Sequence, residues 1–423
     1  MIQDDYRAAI DIGTTKVCAI LARKRPDHRI ELLGTGVAPN TGMVRGVVNN
    51  SEAVSEAVKE AVARAASEAG VAITRAYVGL TGTHLESAHR WNNVPRDPGV
   101  RAVTETDVNA ALRTASRIEL NADRRLLHVI PRSYSLDGIH GVRNPLGMHS
   151  SELHIESIVV SGSNEHIYTV QDAVRRAGVE PMNMVVEPLS TAEAVLTADE
   201  KEDGVVLIDV GGGSTDISVF YEGSIIHTAS VPVGGHHFTN DLSIAFSIEF
   251  EDAENLKLEK GTCAPEASTM KEQVTIKPVN MPDPLTITKR EVGQVLRDRA
   301  QELFRMTLLK LDSEHIRDLP IERIVFTGGG SKLQGFEALA RFMFQRKIRQ
   351  GVPRGIDGLP EVNRDPSIAA AAGIALWGYK NLASDNHVTS KGKAVSQQVY
   401  AGQQTERQGG KMSSLTGWLS GRK

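Results

Sequence analysis

The sequence predicts an α/β protein built from two similar lobes that face one ligand, with a further domain set into the first lobe. Three observations predict it. Apolar strand patterns alternate with amphipathic helix patterns along most of the chain. A strand–turn–strand segment occurs twice: Ala8–Lys16 reads AAIDIGTTK and Val206–Thr215 reads VLIDVGGGST, about 200 residues later. A third glycine run, Thr327–Ser331 (TGGGS), follows another strand pattern.

Composition bounds what the chain can be. Its 423 residues are enough for several domains and a large core. Hydrophobic residues at 40% and charged residues at 24% exclude a wholly disordered or fibrous chain. A net charge of −4 offers no global basic field, so nucleic acid is not an expected partner. The two cysteines, Cys18 and Cys263, exclude a disulfide framework and fit a reducing compartment. Runs such as Ile374–Trp377 fall far short of the roughly 20 apolar residues of a spanning helix. The opening MIQDDYR has no apolar signal core, so the expected place is the cytoplasm.

The elements follow in order. Tyr6–Ile12, Val17–Ala22 and Arg29–Val37 read as three strands. Ser51–Glu68 repeats apolar residues at i, i+1, i+4 spacing and reads as a helix, with Ser51 or Asn50 as cap and Gly70 as stop. Ala76–Leu80 is a short buried strand. Thr83–Gly162 changes character: four prolines and scattered histidines surround one helix, Glu105–Ile118, and strand runs at Leu126–Ile130 and His154–Val160, which marks an inserted domain. The α/β pattern then returns with a helix at Glu165–Ala177, a strand at Met182–Val186 and a helix at Leu189–Ala198. Val205–Val210 is an apolar strand; Asp216–Tyr221 and Ser224–Val231 pair across a Glu222-Gly223 turn. A second mixed insert, Gly234–Lys289, precedes a long helix at Glu291–Lys310, a strand at Arg323–Thr327 and an Ala-rich helix at Pro366–Trp377. Asn381–Gly410 is rich in Ser, Gln, Gly and Lys and reads as a flexible linker.

The repeated segment carries the chemistry. A phosphate needs several backbone N–H donors in a concave loop, which glycine permits and larger side chains obstruct. Gly13 in one copy, and Gly211, Gly212 and Gly213 in the other, supply such loops, with hydroxyls at Thr14, Thr15, Ser214 and Thr215. The adjacent Asp11 and Asp209 would repel phosphate unless a divalent cation lies between them. One such loop alone is equally a hairpin with a helpful glycine; two in matching positions argue for phosphate. The chain has neither a GxxxxGK[ST] loop nor a GxGxxG after a strand, which excludes P-loop and dinucleotide-binding readings. The thirteen histidines show no metal-ligand spacing, and Cys18 lies in a buried strand pattern.

These motifs, in this order, resemble the actin-like ATPase superfamily. DIGTTK matches its first phosphate motif, DVGGGSTDIS its second and TGGGS its adenosine motif. EPLSTAEA (Glu187–Ala194) and DPSIAAAAGIALWG (Asp365–Gly378) resemble its two connecting segments, and EDAENLK (Glu251–Lys257) an adenosine-contacting helix. The inserted domain, the VGGHHFTNDLS stretch at Val233–Ser243 and the linker with its terminal segment narrow the resemblance to the FtsA family of bacterial cell-division proteins.

The resemblance implies two ribonuclease H-like lobes. Residues 1–83, 163–200 and 365–380 would form subdomain 1A, and 84–162 subdomain 1C. Residues 201–233 and 300–364 would form 2A, and 234–299 subdomain 2B. A linker at 381–410 and a membrane-targeting amphipathic helix at 411–423 would follow. ATP and Mg²⁺ would be the cofactors, with Asp11 and Asp209 holding Mg²⁺ through water and Glu187 orienting an attacking water. Lys16 would reach a phosphate, although an edge-strand lysine is an equal reading. Glu254 and Lys257 would contact ribose and base, or form a plain surface pair. Gly328, Gly329, Gly330 and Ser331 would pass beneath the nucleotide, and Arg299 would meet the acidic C-terminal peptide of FtsZ.

The tail was judged on its own pattern as well. On a helix, Met412, Leu415, Trp418 and Leu419 fall within about 120° of one another. Lys411, Arg422 and Lys423 flank them, and the chain from Asn381 onward carries six basic and two acidic residues. This suits an anionic membrane surface; a tail with no partner, or one docked on its own domain, is the plainer alternative. The expected function is an ATP-binding, weakly hydrolysing or non-hydrolysing polymer that tethers the FtsZ ring to the inner membrane face at the division site. The rivals are a PilM-like pilus-assembly protein and a sugar kinase or phosphatase of the same superfamily. A chaperone would need a substrate domain after Lys380, where only 43 residues follow.

Overall fold

The computed structural model describes residues 5–97, 99–264, 271–279, 281–312, 314–359, 364–380 and 398–399. The membrane helix expected at 411–423, and the linker apart from residues 398–399, lie outside the described residues.

The first lobe opens with strands β1 (Asp5–Ile12), β2 (Lys16–Lys24) and β3 (Ile30–Pro39), then helix α1 (Ser51–Ala69) and β4 (Arg75–Leu80). Asn50 caps α1 by accepting from the Glu52 and Ala53 amides, and Gly70 ends it at φ 65°. The inserted domain comprises β5 (Glu86–Val94), α2 (Glu105–Ser116), β6 (Arg124–Leu136), β7 (Ile139–Val142) and β8 (Leu153–Ser163). The first lobe resumes with α3 (Asn164–Arg176), β9 (Glu180–Val186), α4 (Glu187–Val195) and α5 (Ala198–Asp203).

The second lobe repeats the plan: β10 (Val205–Val210), β11 (Thr215–Tyr221) and β12 (Ser224–Val231). Helices α6 (Gly235–Phe246) and α7 (Phe250–Lys260) and the hairpin β13 (Gln273–Ile276) and β14 (Leu285–Thr288) form a side domain. Helix α8 (Lys289–Leu311), β15 (Arg323–Thr327), α9 (Phe336–Phe344) and β16 (Lys347–Gln350) complete the lobe. The last helix, α10 (Ala369–Lys380), returns to the first lobe, where Trp377 is buried in that lobe's core.

The duplication is plain in the sheets. The first is ordered β9-β4-β1-β2-β3 and the second β16-β15-β10-β11-β12. In each, the first two strands are antiparallel and the next neighbours run parallel. The register repeats as well: Asp11 lies opposite Cys18, and Asp209 opposite Asp216.

The insert has its own small core, where Ala111, Leu112 and Ala115 of α2 cover one face of its sheet. The opposite face gives Leu127, Ile130, Ile158 and Val160 to the first lobe's core. One end of the insert reaches the second lobe. There His89 Nε2 lies 2.8 Å from the Ile226 carbonyl, and Ser87 Oγ donates to the Thr228 carbonyl at 3.3 Å. The insert therefore touches both lobes.

Three elements differ from the sequence reading. The helix expected at Leu189–Ala198 begins two residues earlier and stops at Val195, because Thr197 and Glu200 form the capping box of a new helix. Strand β5 went unread because its sequence, ESAHRWNNV, is largely polar and stays partly exposed. The Ala-rich helix expected at Pro366–Trp377 begins at Ala369, after a 3-10 turn at Pro366–Ile368, and runs on to Lys380.

Candidate functional site

The two repeated turns face each other across the cleft between the lobes. Each is closed by the same hydrogen bond: the Gly13 amide donates to the Lys16 carbonyl, and the Gly211 amide to the Ser214 carbonyl, both at 2.9 Å. Thr15 packs against Gly212 and Thr14 against Gly213, so any side chain on these glycines would strike the opposite lobe. The first turn is anchored by Asn40, whose side chain donates to the Gly13 carbonyl at 2.8 Å. The second supports α6: the Gly235 and His236 amides donate to the Gly211 and Gly212 carbonyls at 2.9 and 2.7 Å.

Four carboxylates converge at these turns. Asp11 is buried on β1, Asp209 is half-buried on β10, Asp216 is buried on β11, and Glu187 is buried on the first turn of α4 rather than in a loop. Burial pushes all four up: Asp11 to about 6 despite the Lys16 cation, and Asp209 to about 8 with Asp216 and Asp11 adding repulsion. Glu187 rises well above the ordinary range and Asp216 rises too, both through burial first. Two oxygens, Glu187 Oε1 and Asp216 Oδ1, have no hydrogen-bond partner. Clustered, desolvated carboxylates with idle lone pairs are costly unless a cation or proton joins them.

Backbone without side chains makes room for these acids. A Cβ at Gly79 on β4 would stand 2.6 Å from Glu187 Oε1. Gly328, at φ 82°, fits under Asp209 where a Cβ would collide with its carboxylate. Residues outside the motifs also hold the acids. Thr81, from the first lobe, donates to Asp216 of the second, and Thr191 donates to Asp209 at 3.4 Å. Buried His128 of the insert accepts from the Val186 amide at 3.1 Å and so fixes the start of α4 just before Glu187. Burial lowers His128 to about 3, which keeps it a neutral acceptor.

The other candidates are placed as follows. Lys16 donates to Ser367 Oγ at 2.7 Å, across the entry to α10. Gly328–Ser331 form the turn after β15, where Ser331 Oγ donates to the Gly328 carbonyl at 2.7 Å. Glu254 and Lys257 pair at 2.7 Å on α7, and Lys257 also donates to Thr239 and to the Gly235 carbonyl, beside the second turn. Thr215 is a correction: fully buried on β11, it gives its hydroxyl to the Val233 carbonyl at 2.7 Å, so it serves the strand and not the cleft. Arg299 is engaged by both carboxylate oxygens of Asp241 at 2.5 and 2.6 Å, and by Glu302. A peptide carboxylate would have to share it. Met412, Leu415, Trp418, Leu419, Arg422 and Lys423 lie outside the described residues.

Asp216 and Thr81 were missed in the sequence. Asp216 stands within the quoted DVGGGSTDIS, but its value depends on facing Asp209 across a strand pair. Among the described residues, no group of three or more His, Cys, Asp or Glu is gathered closely enough to ligate a metal directly.

Comparison with known proteins fits this geometry. The family profile "Cell division protein FtsA" matches residues 206–373, and that of the "SHS2 domain inserted in FTSA" matches residues 82–161. Cell division protein FtsA of Pseudomonas aeruginosa is 33% identical over 388 residues, 92% of each chain. Among solved structures, a chain of the PilM-PilN type IV pilus biogenesis complex aligns with a TM-score of 0.64 at 19% identity, covering 88% of this chain and 98% of that one. MreB5 of Spiroplasma citri bound to ADP aligns with a TM-score of 0.52 at 16% identity, covering 88% and 96%. The two lobes have the actin-like fold, and the insert is an SHS2 domain.

Proposed function

Because this chain belongs to the FtsA family of cell-division proteins, we propose that it binds Mg²⁺-ATP between its lobes, polymerises, and tethers the FtsZ ring to the cytoplasmic face of the membrane at the division site. The observation that carries the nucleotide reading is the pair of matched turns with Asp11, Asp209 and two unpartnered carboxylate oxygens between them. A bound Mg²⁺ would supply the positive charge that offsets these acids beside phosphate. Asp11 and Asp209 would hold it through water, and Glu187, raised and unpartnered at Oε1, would accept a hydrogen bond from a water near the terminal phosphate. The amides and hydroxyls of Gly13–Thr15 and Gly211–Ser214 would hold phosphate. Gly328–Ser331, Glu254 and Lys257 would flank the nucleoside. Binding is better supported than turnover, and slow or absent hydrolysis is expected.

Closing both lobes on one ligand would fix the angle between them and favour end-to-end assembly. The tail would add the membrane. Burying Met412, Leu415, Trp418 and Leu419 contributes roughly 6–10 kcal/mol gross, against a similar ordering cost for the segment. One tail should therefore bind weakly, while a polymer presenting many should bind firmly through effective concentration. Were the 30 residues of 381–410 to behave as a random coil, they would reach roughly 30 Å, which would permit this without rigid docking. The side domain of α6, α7 and the β13–β14 hairpin, with Arg299 on the adjoining α8, is the proposed surface for the acidic FtsZ peptide.

Flotation with anionic vesicles tests the proposal. The whole chain, a truncation ending at Gly410 and Trp418→Glu are compared with and without Mg²⁺-ATP, and the floated fraction is viewed by electron microscopy. Only the intact chain should float, more so with Mg²⁺-ATP, with filaments on the vesicles. Identical behaviour of all three would remove the tether and favour a soluble member of the same fold.

A further inference from the structure

We propose that Arg45 is the phosphate-sensing cation of this site, a guanidinium that binds the terminal phosphate of ATP and thereby distinguishes ATP from ADP. The proposal rests on the nucleotide reading above and adds a residue that none of the glycine, acid or lysine motifs contains.

The backbone points to it first. Met43 pairs with Val48 and Val44 with Val47, which leaves Arg45 and Gly46 as the two turn residues of a small hairpin between β3 and α1. Their φ values are 51° and 80°. Two-residue turns of this kind favour Asn-Gly or Gly-Gly, since other side chains rarely adopt φ above zero. Six described non-glycine residues have positive φ: His28, Arg45, Asp137, Glu222, Ser247 and Gln345. Of these, Arg45 is the one whose turn touches the phosphate loops. An unfavourable residue held at a functional cleft is a reason to look for its task.

Position supplies the second argument. The Gly46 amide donates to Thr14 Oγ1 at 3.2 Å, and a Cβ at Gly46 would stand 3.5 Å from Ser214 Oγ. Arg45 is thus one residue from both phosphate turns, one on each lobe. Its side chain is exposed, and among the described residues it has no hydrogen-bond or ion-pair partner. By contrast, Lys16 is already bonded to Ser367, and Lys257 to Glu254 and Thr239. Four carboxylates crowd the cleft, so an unpaired guanidinium one residue from both turns is the cation available to offset added phosphate charge. The planar fork of arginine suits two oxygens of one phosphate.

The hairpin also has room to respond. Its inner side, through Met43, Gly46, Val47 and Val48, lines a cavity of about 120 Å³ that reaches His84 and His166. A shift of the turn toward phosphate would carry Gly46 with it and so move its bond to Thr14. Presence of the terminal phosphate would in this way be transmitted to the first lobe.

The test is nucleotide affinity, measured with the full-length protein and Mg²⁺ for ATP and ADP separately, in wild type, Arg45→Ala, Arg45→Lys and Arg45→Gly. Melting temperature is recorded for each. A charge-assisted contact to the terminal phosphate predicts that Arg45→Ala and Arg45→Gly weaken ATP about tenfold or more, while ADP changes less than twofold. Arg45→Lys should retain part of the preference. Arg45→Gly frees the turn and should melt no lower than wild type, which separates the sensing role from a structural one. An unchanged ATP-to-ADP ratio in the Gly and Ala variants overturns the proposal even if wild type binds ATP well. Equal losses for ATP and ADP overturn it too. Wild type that binds neither nucleotide defeats the nucleotide reading itself.

Discussion

Asp209→Asn should make the nucleotide-free protein more stable and the Mg²⁺-ATP complex less so. Asp209 is held at about 8 against an ordinary value of 3.8, chiefly by burial and then by Asp216 and Asp11. A rise of that size is at most roughly 6 kcal/mol of penalty on the ionised form. Because Asp209 is only half-buried, solvent and side-chain relaxation reduce this, and a gain on the order of 2 kcal/mol is the working figure. The sign follows from the direction of the shift. The folded state holds a proton that the unfolded chain has released, so this group's contribution falls as pH rises from about 4 to about 8. Asparagine keeps the oxygen that accepts from Thr191 and removes the charge. In thermal melts at pH 8 without ligand, the variant should melt roughly 2–3 °C higher than wild type, with a flatter stability profile between pH 4 and 8. Adding Mg²⁺-ATP should raise wild type strongly and the variant little. A variant that melts lower than wild type without ligand, or that gains equally from Mg²⁺-ATP, would refute the reading of Asp209 as a strained acid awaiting a cation.

Other substitutions probe the frame around the site. Glu193→Gln on α4 removes the anion shared by Lys201 and Lys380. With Lys201 left buried, it should cost about 3–5 kcal/mol in chemical denaturation. Because Glu193 is lowered to about 2, its contribution should persist above about 4.5 and fade as pH drops from there toward 2, in melts across that range. Thr81→Val deletes the donor that joins Asp216 across the lobes, and should destabilise by about 1–3 kcal/mol, read by urea unfolding at pH 8. Gly79→Ala forces a methyl against Glu187 and Ile374, and should cost about 1–3 kcal/mol while reducing the melting shift on adding Mg²⁺-ATP. Arg143→Ala breaks an ion pair in which both side chains are about half exposed, and should change stability by less than about 1 kcal/mol in the same unfolding assay.

What the sequence made legible was whatever is local. The strand–acid–glycine turns could be read because the alternation, the acid and the glycines lie within ten residues of one another, and the structure aligns Asp11 with Asp209 and Gly13 with Gly211 in the same register. Long amphipathic helices such as Ser51–Ala69 and Lys289–Leu311 were legible for the same reason: their periodicity is their own. What depended on pairing across space was not. Thr215 has the composition of a phosphate-loop hydroxyl, yet the two-residue alternation of β11 turns it toward Val233 and turns Asp216 toward Asp209. Thr81 and Asp216 are separated by 135 residues, and only the fold makes them one contact. His128 belongs to the insert by sequence, but it fixes the start of a helix in the first lobe. Arg45 was illegible in another way. No spacing rule marks an arginine in a two-residue turn, and only its φ of 51° beside a glycine bonded to Thr14 separates it from an ordinary surface cation. The motifs thus supply the acids, the loops and the packing of Thr14 and Thr15 against Gly213 and Gly212, while Thr81 adds a contact between the lobes from outside them.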